Sequence, residues 1–554
     1  MCGIWAIFGY DHQASSELHH ALLIAHRGPD FFRIESLPNF KHSYLAFHRL
    51  SIMDNLTGQQ PMRLYSLPHI HLTYNGEIYN FKELFQKYGF EQTTSMDGEI
   101  IIHLYNKFGM EKTLQLLDGV FAVSIFDSEN GTFHIGRDTF GVRPLFTLRP
   151  DSGELGVSSE AKGLIGLNKS NGKARPIKQL KPGTYATFNI CKETGLSKLL
   201  EEKSFTDVDV PQAFDIPITL TDDVKENIRN LLTDAVRKRL MAERRIGCLL
   251  SGGLDSSLVA ALVVKLSREM GIKYPIQTFS IGFPGSPDVM KARKVAEMLQ
   301  TEHHEVLITP QEALDALPDV NYALESYDIT TNRASTPMFL LAKYIRKNTN
   351  TVVIFSGEGS DELTQGYIYF HKAPTPEAAH EDSKRLLREL YIFDNLRADR
   401  TISAHGLELR VPFLDKAFTS YYLSIDKQLV QPKDGVEKFL LRSAFDGHLK
   451  GLLPDEILWR PKEAFSDGIS QKTDSWFSHI QRHAATLFTK QQLEEAAEKF
   501  PINPPFSFES LYYRTMFESK YPGQCHILPY FWMPRWQEGD VKDPSARVLT
   551  NYKQ

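Results

Sequence analysis

Cys2 is the residue of this chain whose position most directly favours chemistry. It follows Met1, so removal of the initiator methionine leaves a cysteine with a free α-amine. Such an N-terminal nucleophile needs no separate base, because its own amine, with a pKa of about 8, can accept the thiol proton. The alternative is an accidental surface or core cysteine. The rest of the chain decides between these interpretations.

A second chemical pattern begins at Ser251, where SGGLDS lies between an apolar run and a helical pattern. Glycines let backbone amides approach an anion, and a helix start adds donors and a favourable dipole. Ser251 and Ser256 add hydroxyl donors. The carboxylate of Asp255 would repel a phosphate unless Mg²⁺ bridges the two groups. Residues 251–256 therefore predict a phosphate site with magnesium, and a simple glycine turn is the alternative.

A second loop, SGEGSDE at 356–362, follows another short apolar run at 352–355. In a parallel sheet, ligands bind at the carboxyl ends of the strands, so we expect both loops at one edge. Asp255 and Asp361 are the predicted magnesium ligands. A solvated acidic turn is the alternative interpretation of this second loop.

About the first 190 residues carry short β-like runs punctuated by Gly, Pro, Asn and Asp, with helical patterns at 16–25 and 98–108. Many short strands with few helices indicate packed antiparallel sheets flanked by helices, in a domain spanning 2–190. The predicted strands are 43–47, 70–74, 120–126, 132–136, 155–158 and 184–188.

Residues 191–215 are polar and irregular and predict a linker, and residues 216–554 form the second predicted domain. There, strands alternate with helices, which predicts a doubly wound parallel sheet. From about residue 380 the pattern is mostly helical and indicates helical extensions. The predicted strands are 246–250, 276–281, 304–308 and 352–355, and the predicted helices are 224–240, 258–264 and 289–299.

The composition of the chain argues against several classes of function. The 554 residues carry a formal net charge of −5, which argues against nucleic acid or an anionic membrane as the main partner. No apolar stretch approaches the ~18 residues of a membrane span, and no secretory signal is visible. The four cysteines lie far apart without metal-ligand spacing, which indicates a reducing compartment. We expect a cytosolic protein. The cysteines are Cys2, Cys191, Cys248 and Cys525.

Each predicted domain contains several short segments of distinctive sequence. In the first they are CGI at 2–4, HRGPD at 26–30, FHRL at 47–50, YNGEIYN at 74–80 and DGE at 97–99. In the second they are LLSGGLDSS at 249–257, FSGEGSDE at 355–362, LRVPFLD at 409–415, WRPKEAFSDG at 459–468 and WMPRW at 532–536. The first set resembles the class II, N-terminal-nucleophile glutamine amidotransferases. The second resembles the ATP pyrophosphatases and, among them, the synthetase half of the animal-type asparagine synthetases.

The amidotransferase resemblance implies an N-terminal-nucleophile (Ntn) hydrolase fold, an αββα sandwich. It implies that Cys2 attacks the side-chain amide of glutamine and forms a glutamyl thioester. Asn75 and Gly76 would supply the oxyanion hole. Arg49 would hold the α-carboxylate of glutamine, and Glu77 and Asp97 would hold its α-amino group. The implied glutamine-binding residues are Arg49, Leu50, Ser51, Ile52, Met53, Asn75, Gly76, Glu77 and Asp97.

The synthetase resemblance implies formation of β-aspartyl-AMP and pyrophosphate from aspartate and ATP, followed by attack of ammonia. Glu358 would accept a proton and Lys462 would stabilise developing charge. Thr330, Thr331 and Arg333 would grip aspartate. The implied ATP-binding residues are Leu249, Ser251, Gly252, Gly253, Asp255, Ser256, Ile281, Ser356 and Gly357.

The resemblance further implies glutamine, aspartate and ATP as substrates and a homodimer. Three alternatives stay open. A β-lactam synthetase activates another carboxylate but lacks the N-terminal cysteine. A non-catalytic sensor would not need Cys2, Asp255 or Glu358. An enzyme that modifies tRNA would need a basic surface, which the net charge disfavours.

Overall fold

The computed structural model describes residues 1–10, 14–54, 58–167, 169–170, 173–208, 221–462, 468–470, 475–537, 539 and 541–544. The chain divides into two compact units. The first unit comprises Met1–Asp207, Ser403–Leu407 and Tyr521–Ile527, and the second comprises Val208–Ile402, Glu408–Lys520 and Leu528–Gln554.

Two six-stranded antiparallel sheets build the first unit. One runs in the order Ile177–Gln179, Phe146–Leu148, Leu155–Ser158, Gly3–Phe8, Ser43–Arg49 and Phe31–Ser36. The other runs in the order Ser197–Ser204, Thr184–Ile190, Thr132–Arg137, Gly119–Asp127, Leu67–Ile78 and Met62–Leu64. The short strands Lys169–Ser170 and Lys173–Ala174 pair separately.

The main core of this unit lies between the two sheets. Phe8 and Phe47 from one sheet join Phe126 and Phe133 from the other in one buried cluster. Phe8 and Phe133 have ring centroids 4.6 Å apart. Alternate side chains of a strand point to opposite faces, so the same strands can also bury an outer face. Trp5 does so in a second buried cluster.

Helices cover the outer faces of both sheets, which gives the predicted αββα sandwich. The second cluster joins Trp5 to Ala21 of the helix Ala14–Leu22. On the other sheet, Leu114 of the helix Glu99–Leu116 packs over Gly136. The unit also contains the helix Phe81–Tyr88 and the 3₁₀ turns Ala25–Arg27, Ala161–Leu164 and Cys525–Ile527.

The predicted linker range, 191–215, contains a strand. Ser197–Ser204 pairs antiparallel with Thr184–Ile190 at the edge of the second sheet. Most of its side chains are exposed or half-buried, so the segment lacks the apolar alternation by which a strand is recognised. Residues 209–215 lie outside the described part of the chain, and the predicted domain boundaries stay a prediction.

The second unit contains a five-stranded parallel sheet. In chain order its strands are Arg245–Leu249, Gln277–Gly282, Glu302–Leu307, Thr351–Phe355 and Glu408–Arg410. Numbered in that order, they lie across the sheet as 3-2-1-4-5, and each neighbouring pair is parallel. Crossovers between parallel strands are right-handed, so a reversal of strand order places helices on opposite faces. This confirms the predicted doubly wound sheet.

The strand order reverses between Arg245–Leu249 and Thr351–Phe355, where Cys248 lies beside Phe355. The loops that follow these two strands therefore leave the sheet at neighbouring positions. In open parallel sheets, the crevice at such a reversal is where ligands bind.

Helices account for most of the remaining second unit, as the pattern beyond residue 380 indicated. Up to residue 389 they are Thr221–Lys238, Leu254–Glu269, Pro287–Leu299, Pro310–Leu324, Ile329–Asn348, Ser360–Leu363 and Pro376–Glu389. Beyond it they are Asp394–Ser403, Lys416–Ser424, Lys427–Val430, Phe439–Phe445, Asp455–Leu458, Trp476–Leu487, Lys490–Glu494, Ala496–Lys499 and Phe508–Lys520. Ile368–Lys372 and Pro412–Leu414 are 3₁₀ turns.

Within the described ranges, no helix has the length and apolarity needed to cross a membrane.

Candidate active sites

Cys2 lies immediately before the central strand Gly3–Phe8 of the first sheet. Antiparallel pairing sets Gly3 opposite His48, which brings Cys2 to the end of the neighbouring strand. The backbone amide of Leu50 donates to Cys2 Sγ at 3.4 Å, and Arg27 Nε donates to the Cys2 carbonyl at 2.9 Å. Cys2 is only half-buried. The thiol is therefore both held in place and accessible.

The nitrogen of Cys2 is held by Asn75. The Cys2 amide donates to Asn75 Oδ1 at 2.8 Å, while the terminal amine belongs to Met1 and donates to the Leu407 carbonyl at 3.1 Å. If Met1 is removed, the new α-amine of Cys2 is the nitrogen that already faces Asn75 Oδ1. This geometry fits an N-terminal nucleophile whose amine takes the thiol proton.

Asn75 also offers a donor for an oxyanion. Its side-chain Nδ2 is buried and has no hydrogen-bond partner among the residues that the structure describes. The next residue, Gly76, has φ +153°, and a Cβ there would lie 1.9 Å from the Val120 carbonyl oxygen. Only glycine fits, and the backbone at this point of the strand Leu67–Ile78 is fixed. An oxyanion hole requires a buried hydrogen-bond donor beside the nucleophile that is not already paired.

Asp97 is largely engaged by the protein itself. Tyr74 Oη donates to its Oδ1 and the Ile78 amide donates to its Oδ2, both at 2.7 Å. Burial, with the charges of Asp97 and Glu77 nearby, raises the pKa of Tyr74 well above its ordinary value. Glu77 is buried in the same cluster. The predicted contact of Glu77 and Asp97 with the glutamine amino group stays a prediction.

The predicted glutamine-binding residues 50–53 form a loop that polar contacts hold at both ends. The buried Arg49 donates from Nη2 to the Met53 carbonyl at 3.1 Å and to the Asp54 carbonyl. The Ser51 amide donates to Asp30 Oδ2 at 2.8 Å. Arg49 therefore orders this loop in the structure, and its predicted contact with a substrate carboxylate stays a prediction.

In the second unit, both predicted loops line one cavity of about 260 Å³. The cavity brings together nearly all the residues predicted for the second site. They are Leu249, Ser251, Gly253, Asp255, Ser256, Ile281, Thr330, Thr331, Arg333, Ser356, Gly357, Glu358, Asp361 and Lys462. Gly252 lies beside the lining, and its carbonyl accepts a hydrogen bond from Arg460 at 2.9 Å.

The loop that begins at Ser251 is compact and leads directly into the helix Leu254–Glu269. The Ser251 amide donates to Ser256 Oγ at 3.2 Å, which folds the loop over the start of the helix. Gly252 has φ +68°, and a Cβ there would lie 2.5 Å from the Ala292 amide. The helix start adds backbone donors at the cavity wall, as an anion site requires.

Two lysines hold the two predicted magnesium ligands together. Lys438 Nζ lies 2.7 Å from Asp255 Oδ1 and 2.6 Å from Asp361 Oδ1. Lys462 Nζ lies 2.5 Å from Asp361 Oδ2. Burial would raise the pKa of Asp361, but these two ammonium groups hold it well below its ordinary value. Asp361 is therefore charged, and the carboxylates of Asp255 and Asp361 converge on the ammonium group of Lys438.

The carboxylates of Asp255 and Asp361 could form only part of the coordination shell of a magnesium ion. Within the described residues, no three His, Cys, Asp or Glu side chains come together as a metal-binding group. Mg²⁺ commonly takes only one or two carboxylates and completes its shell with phosphates and water. Asp255 and Asp361 could supply those two carboxylates once a nucleotide is present.

Glu358 shares the cavity with an arginine that the sequence did not single out. Arg397 Nη2 lies 2.6 Å from Glu358 Oε2 and 2.9 Å from Asp394 Oδ1. Burial raises the pKa of Glu358, and Asp394 raises it further, while Arg397 opposes both effects. A carboxylate with a raised pKa in a cleft is suited to exchanging protons near neutral pH.

The three residues predicted to grip aspartate differ in their environments. Thr330 Oγ1 is buried and, among the described residues, has no hydrogen-bond partner. Thr331 Oγ1 donates to Asp328 Oδ2 at 2.8 Å. Arg333 is paired with Glu509 and Asp543. Thr330 therefore has a hydroxyl to offer a ligand, whereas Arg333 already holds carboxylates.

Sequence reasoning missed three basic residues of the second site: Arg397, Lys438 and Arg460. Asp394 and Arg397 are three apart on one helix, a spacing that could have indicated a pair. Arg460 lies within the segment WRPKEAFSDG at 459–468. Lys438 has no local signal, because its partner Asp255 is 183 positions away.

Comparison with known proteins places this chain in a family. The family described as glutamine amidotransferase domain matches residues 1–193, and the family described as asparagine synthase matches residues 227–390 and 373–537. Proteins named asparagine synthetase (glutamine-hydrolyzing) from Gallus gallus, Cricetulus griseus and Homo sapiens are 55%, 52% and 52% identical to this chain. Each alignment covers 100% of this chain and 99% of the relative. The resemblance of both sets of segments is confirmed: the chain belongs to the family of glutamine-hydrolysing asparagine synthetases.

Proposed function

We propose that this chain synthesises asparagine from aspartate and ATP, with ammonia released from glutamine. The single observation that carries the proposal is the cavity of the second unit. It unites the loop at Ser251, the acidic loop that contains Glu358, and Lys462 at one edge of a parallel sheet. The family to which the chain belongs and the arrangement around Cys2 support the same conclusion.

In the first unit, the Cys2 thiol gives its proton to its own α-amine and attacks the side-chain carbonyl of glutamine. The tetrahedral intermediate places its negative oxygen near Asn75 Nδ2 and the backbone at Gly76. The α-ammonium group returns the proton to the leaving nitrogen, and the intermediate collapses to the glutamyl thioester and ammonia. Water then hydrolyses the glutamyl thioester to glutamate. Arg49 holds the α-carboxylate of glutamine, and Glu77 and Asp97 face its amino group.

In the second unit, the β-carboxylate of aspartate attacks the α-phosphorus of ATP, and pyrophosphate leaves. Ser251, Ser256 and the intervening backbone amides hold the phosphates, while Leu249 and Ile281 frame the nucleoside. Ammonia then attacks the aspartyl carbonyl, Glu358 accepts a proton from the attacking nitrogen, and AMP leaves. Lys462 stabilises the negative charge that develops during both steps.

Magnesium belongs to the nucleotide site in this proposal, with Asp255 and Asp361 as its protein ligands. When bound, it neutralises charge on the phosphates. Lys438 now holds the two carboxylates at 2.7 Å and 2.6 Å, so these ligands are already oriented toward a shared cation. If magnesium is held by these two carboxylates, Lys438 would no longer bridge them.

The expected setting is a homodimer in the cytosol with small-molecule substrates. All four cysteines are free thiols, which agrees with a reducing compartment. The homodimer follows from the resemblance to the family.

A product assay tests the proposal. The protein is incubated with aspartate, ATP, Mg²⁺ and glutamine, and nucleotides and amino acids are separated. We expect asparagine, glutamate, AMP and pyrophosphate in equal amounts, with no AMP when aspartate is omitted. Formation of ADP and phosphate in place of AMP and pyrophosphate would contradict the proposed adenylate.

A further inference from the structure

Both carboxylate-binding edges of the Arg333 guanidinium are occupied. Nε and Nη2 donate to the Glu509 carboxylate at 2.7 Å and 2.6 Å. Nη1 and Nη2 donate to the Asp543 carboxylate at 2.9 Å and 2.8 Å. Such bidentate pairs are the strongest contacts that arginine makes with a carboxylate. Arg333 also lines the cavity of the second unit.

The two carboxylates are held in different ways. Glu509 belongs to the helix Phe508–Lys520, and its side chain is 0% exposed. Asp543 belongs to residues 541–544, which form no helix or strand, and its side chain is 16% exposed. Pro544 of this short segment lines the cavity. Glu509 is therefore the fixed partner of Arg333, and Asp543 is the partner that can be displaced.

We propose that Asp543 is an internal competitor of the substrate aspartate. Residues 541–544 place an aspartate side chain on the edge of Arg333 where a substrate carboxylate would otherwise bind. The inference rests on the proposed function and on the role of Arg333 in gripping aspartate that the family resemblance implies. Aspartate binds when the segment leaves the cavity, so the segment sets how much aspartate the enzyme needs.

Charge explains why substrate must replace Asp543. Arg333 carries one positive charge and already faces two carboxylates. Burial raises the pKa of Glu509, and the charge of Asp543 raises it further against the opposing effect of Arg333. A third carboxylate at the same guanidinium would add more repulsion in a buried place. The apparent affinity for aspartate is then reduced by the fraction of molecules in which Asp543 is bound.

The test compares steady-state kinetics of the full chain and its Asp543→Ala variant, with aspartate varied at saturating ATP and ammonia. We expect the KM for aspartate to fall roughly tenfold, as one displaced bidentate pair would allow, with kcat and the KM for ATP unchanged. Asp543→Asn, which keeps the size of the side chain, should shift the KM in the same direction. The adjacent, exposed Lys542 provides the matched control, since Lys542→Ala should leave all constants unchanged.

An unchanged or increased KM for aspartate in both folded variants would overturn the proposal, because Asp543 would then be a structural partner or would complete the site. Thermal unfolding of each variant establishes that it is folded. A wild-type protein that forms no asparagine would instead contradict the proposed function. Wild-type synthesis with an unaltered KM in the Asp543 variants would contradict only the internal competitor.

Discussion

The guanidinium of Arg397 lies 2.6 Å from the carboxylate of Glu358 in the cavity of the second unit. The same nitrogen contacts Asp394 at 2.9 Å, so one arginine holds two carboxylates. Burial raises the pKa of Glu358, and the charges of Asp394 and Asp361 add to that rise. Arg397 is the group that lowers it. The arginine therefore favours the ionised form of the proposed base and orients it.

Replacing Arg397 should move the pH dependence of the ammonia step. Arg397→Gln removes the effect that lowers the pKa of Glu358, so the pKa rises and the acidic limb of kcat moves upward, by about one pH unit. The measurement is ammonia-dependent asparagine synthesis against pH at a constant concentration of free ammonia. Pyrophosphate release without ammonia reports the adenylation step separately.

Arg385 is the matched control for this experiment. Its side chain is 14% exposed, against 13% for Arg397, and it also pairs with two carboxylates, Asp382 at 2.7 Å and Glu389 at 2.8 Å. Arg385→Gln should leave the pH profile unchanged. Equal shifts in both variants, or no shift in Arg397→Gln, would show that Arg397 does not control Glu358.

Loss of the Asn75 side chain should impair only the use of glutamine. Among the described residues, its buried Nδ2 has no hydrogen-bond partner, and its Oδ1 accepts from the Cys2 amide. Removal of one oxyanion donor lowers kcat by about a hundredfold to a thousandfold. We therefore expect Asn75→Ala to lose glutamine hydrolysis to that extent and to keep ammonia-dependent synthesis. Asn189 lies exposed on the same sheet, and Asn189→Ala is the control. Glutaminase activity within threefold of wild type in Asn75→Ala would exclude Asn75 from the oxyanion hole.

Glu99 should make the first unit sensitive to acid. Burial would raise its pKa, but hydrogen bonds from His103, Thr94 and Thr93 lower it from 4.5 to about 2. A depressed pKa means that the stabilisation is complete above the unfolded value and is lost as the pH falls toward about 2. After a discount for solvent screening, the shift corresponds to about 1–2 kcal/mol at neutral pH.

Glu99→Gln should therefore lower the free energy of unfolding of the first unit most strongly at neutral pH. The difference from wild type should shrink as the pH is reduced to about 3 in a series of denaturant titrations. Glu91 is exposed, so Glu91→Gln should follow the wild-type curve. A difference that stays constant with pH would show that Glu99 contributes no pH-linked stability.

The fold could be predicted from the sequence where one local pattern dominates. Alternation of strands and helices after Arg245 predicted the parallel sheet, and short punctuated runs predicted the sandwich. The sequence predicted a helix at 98–108, whereas the helix in the structure runs from Glu99 to Leu116. It is kinked at Gly109, which has φ +76°, and resumes after the kink. The edge strand Ser197–Ser204 gave no signal, because all eight of its side chains are exposed or half-buried and neither face requires apolar residues. Strand order is set by tertiary pairing and was not readable.

Site residues could likewise be predicted only where the chemistry lies within one short stretch of sequence. Residues of the loops at Ser251 and Ser356 were predicted because each loop carries its chemistry within a few positions. Lys438 and the pairing of Arg333 with Asp543 depend on segments that meet only in the folded chain, and Asp543 lies 210 positions from Arg333. Such contacts leave no local pattern in the sequence.

The most direct test of the central claim follows the side-chain nitrogen of glutamine in wild type and in Cys2→Ala. Glutamine isotopically labelled in its amide nitrogen is supplied with aspartate, ATP and Mg²⁺, and labelled asparagine is measured by mass spectrometry. We expect label in asparagine from wild type, whose intact mass should show that Met1 is absent. Cys2→Ala should transfer no label and should still make asparagine from added ammonia. Transfer of the label by Cys2→Ala at the wild-type rate would contradict the role of Cys2 as the nucleophile.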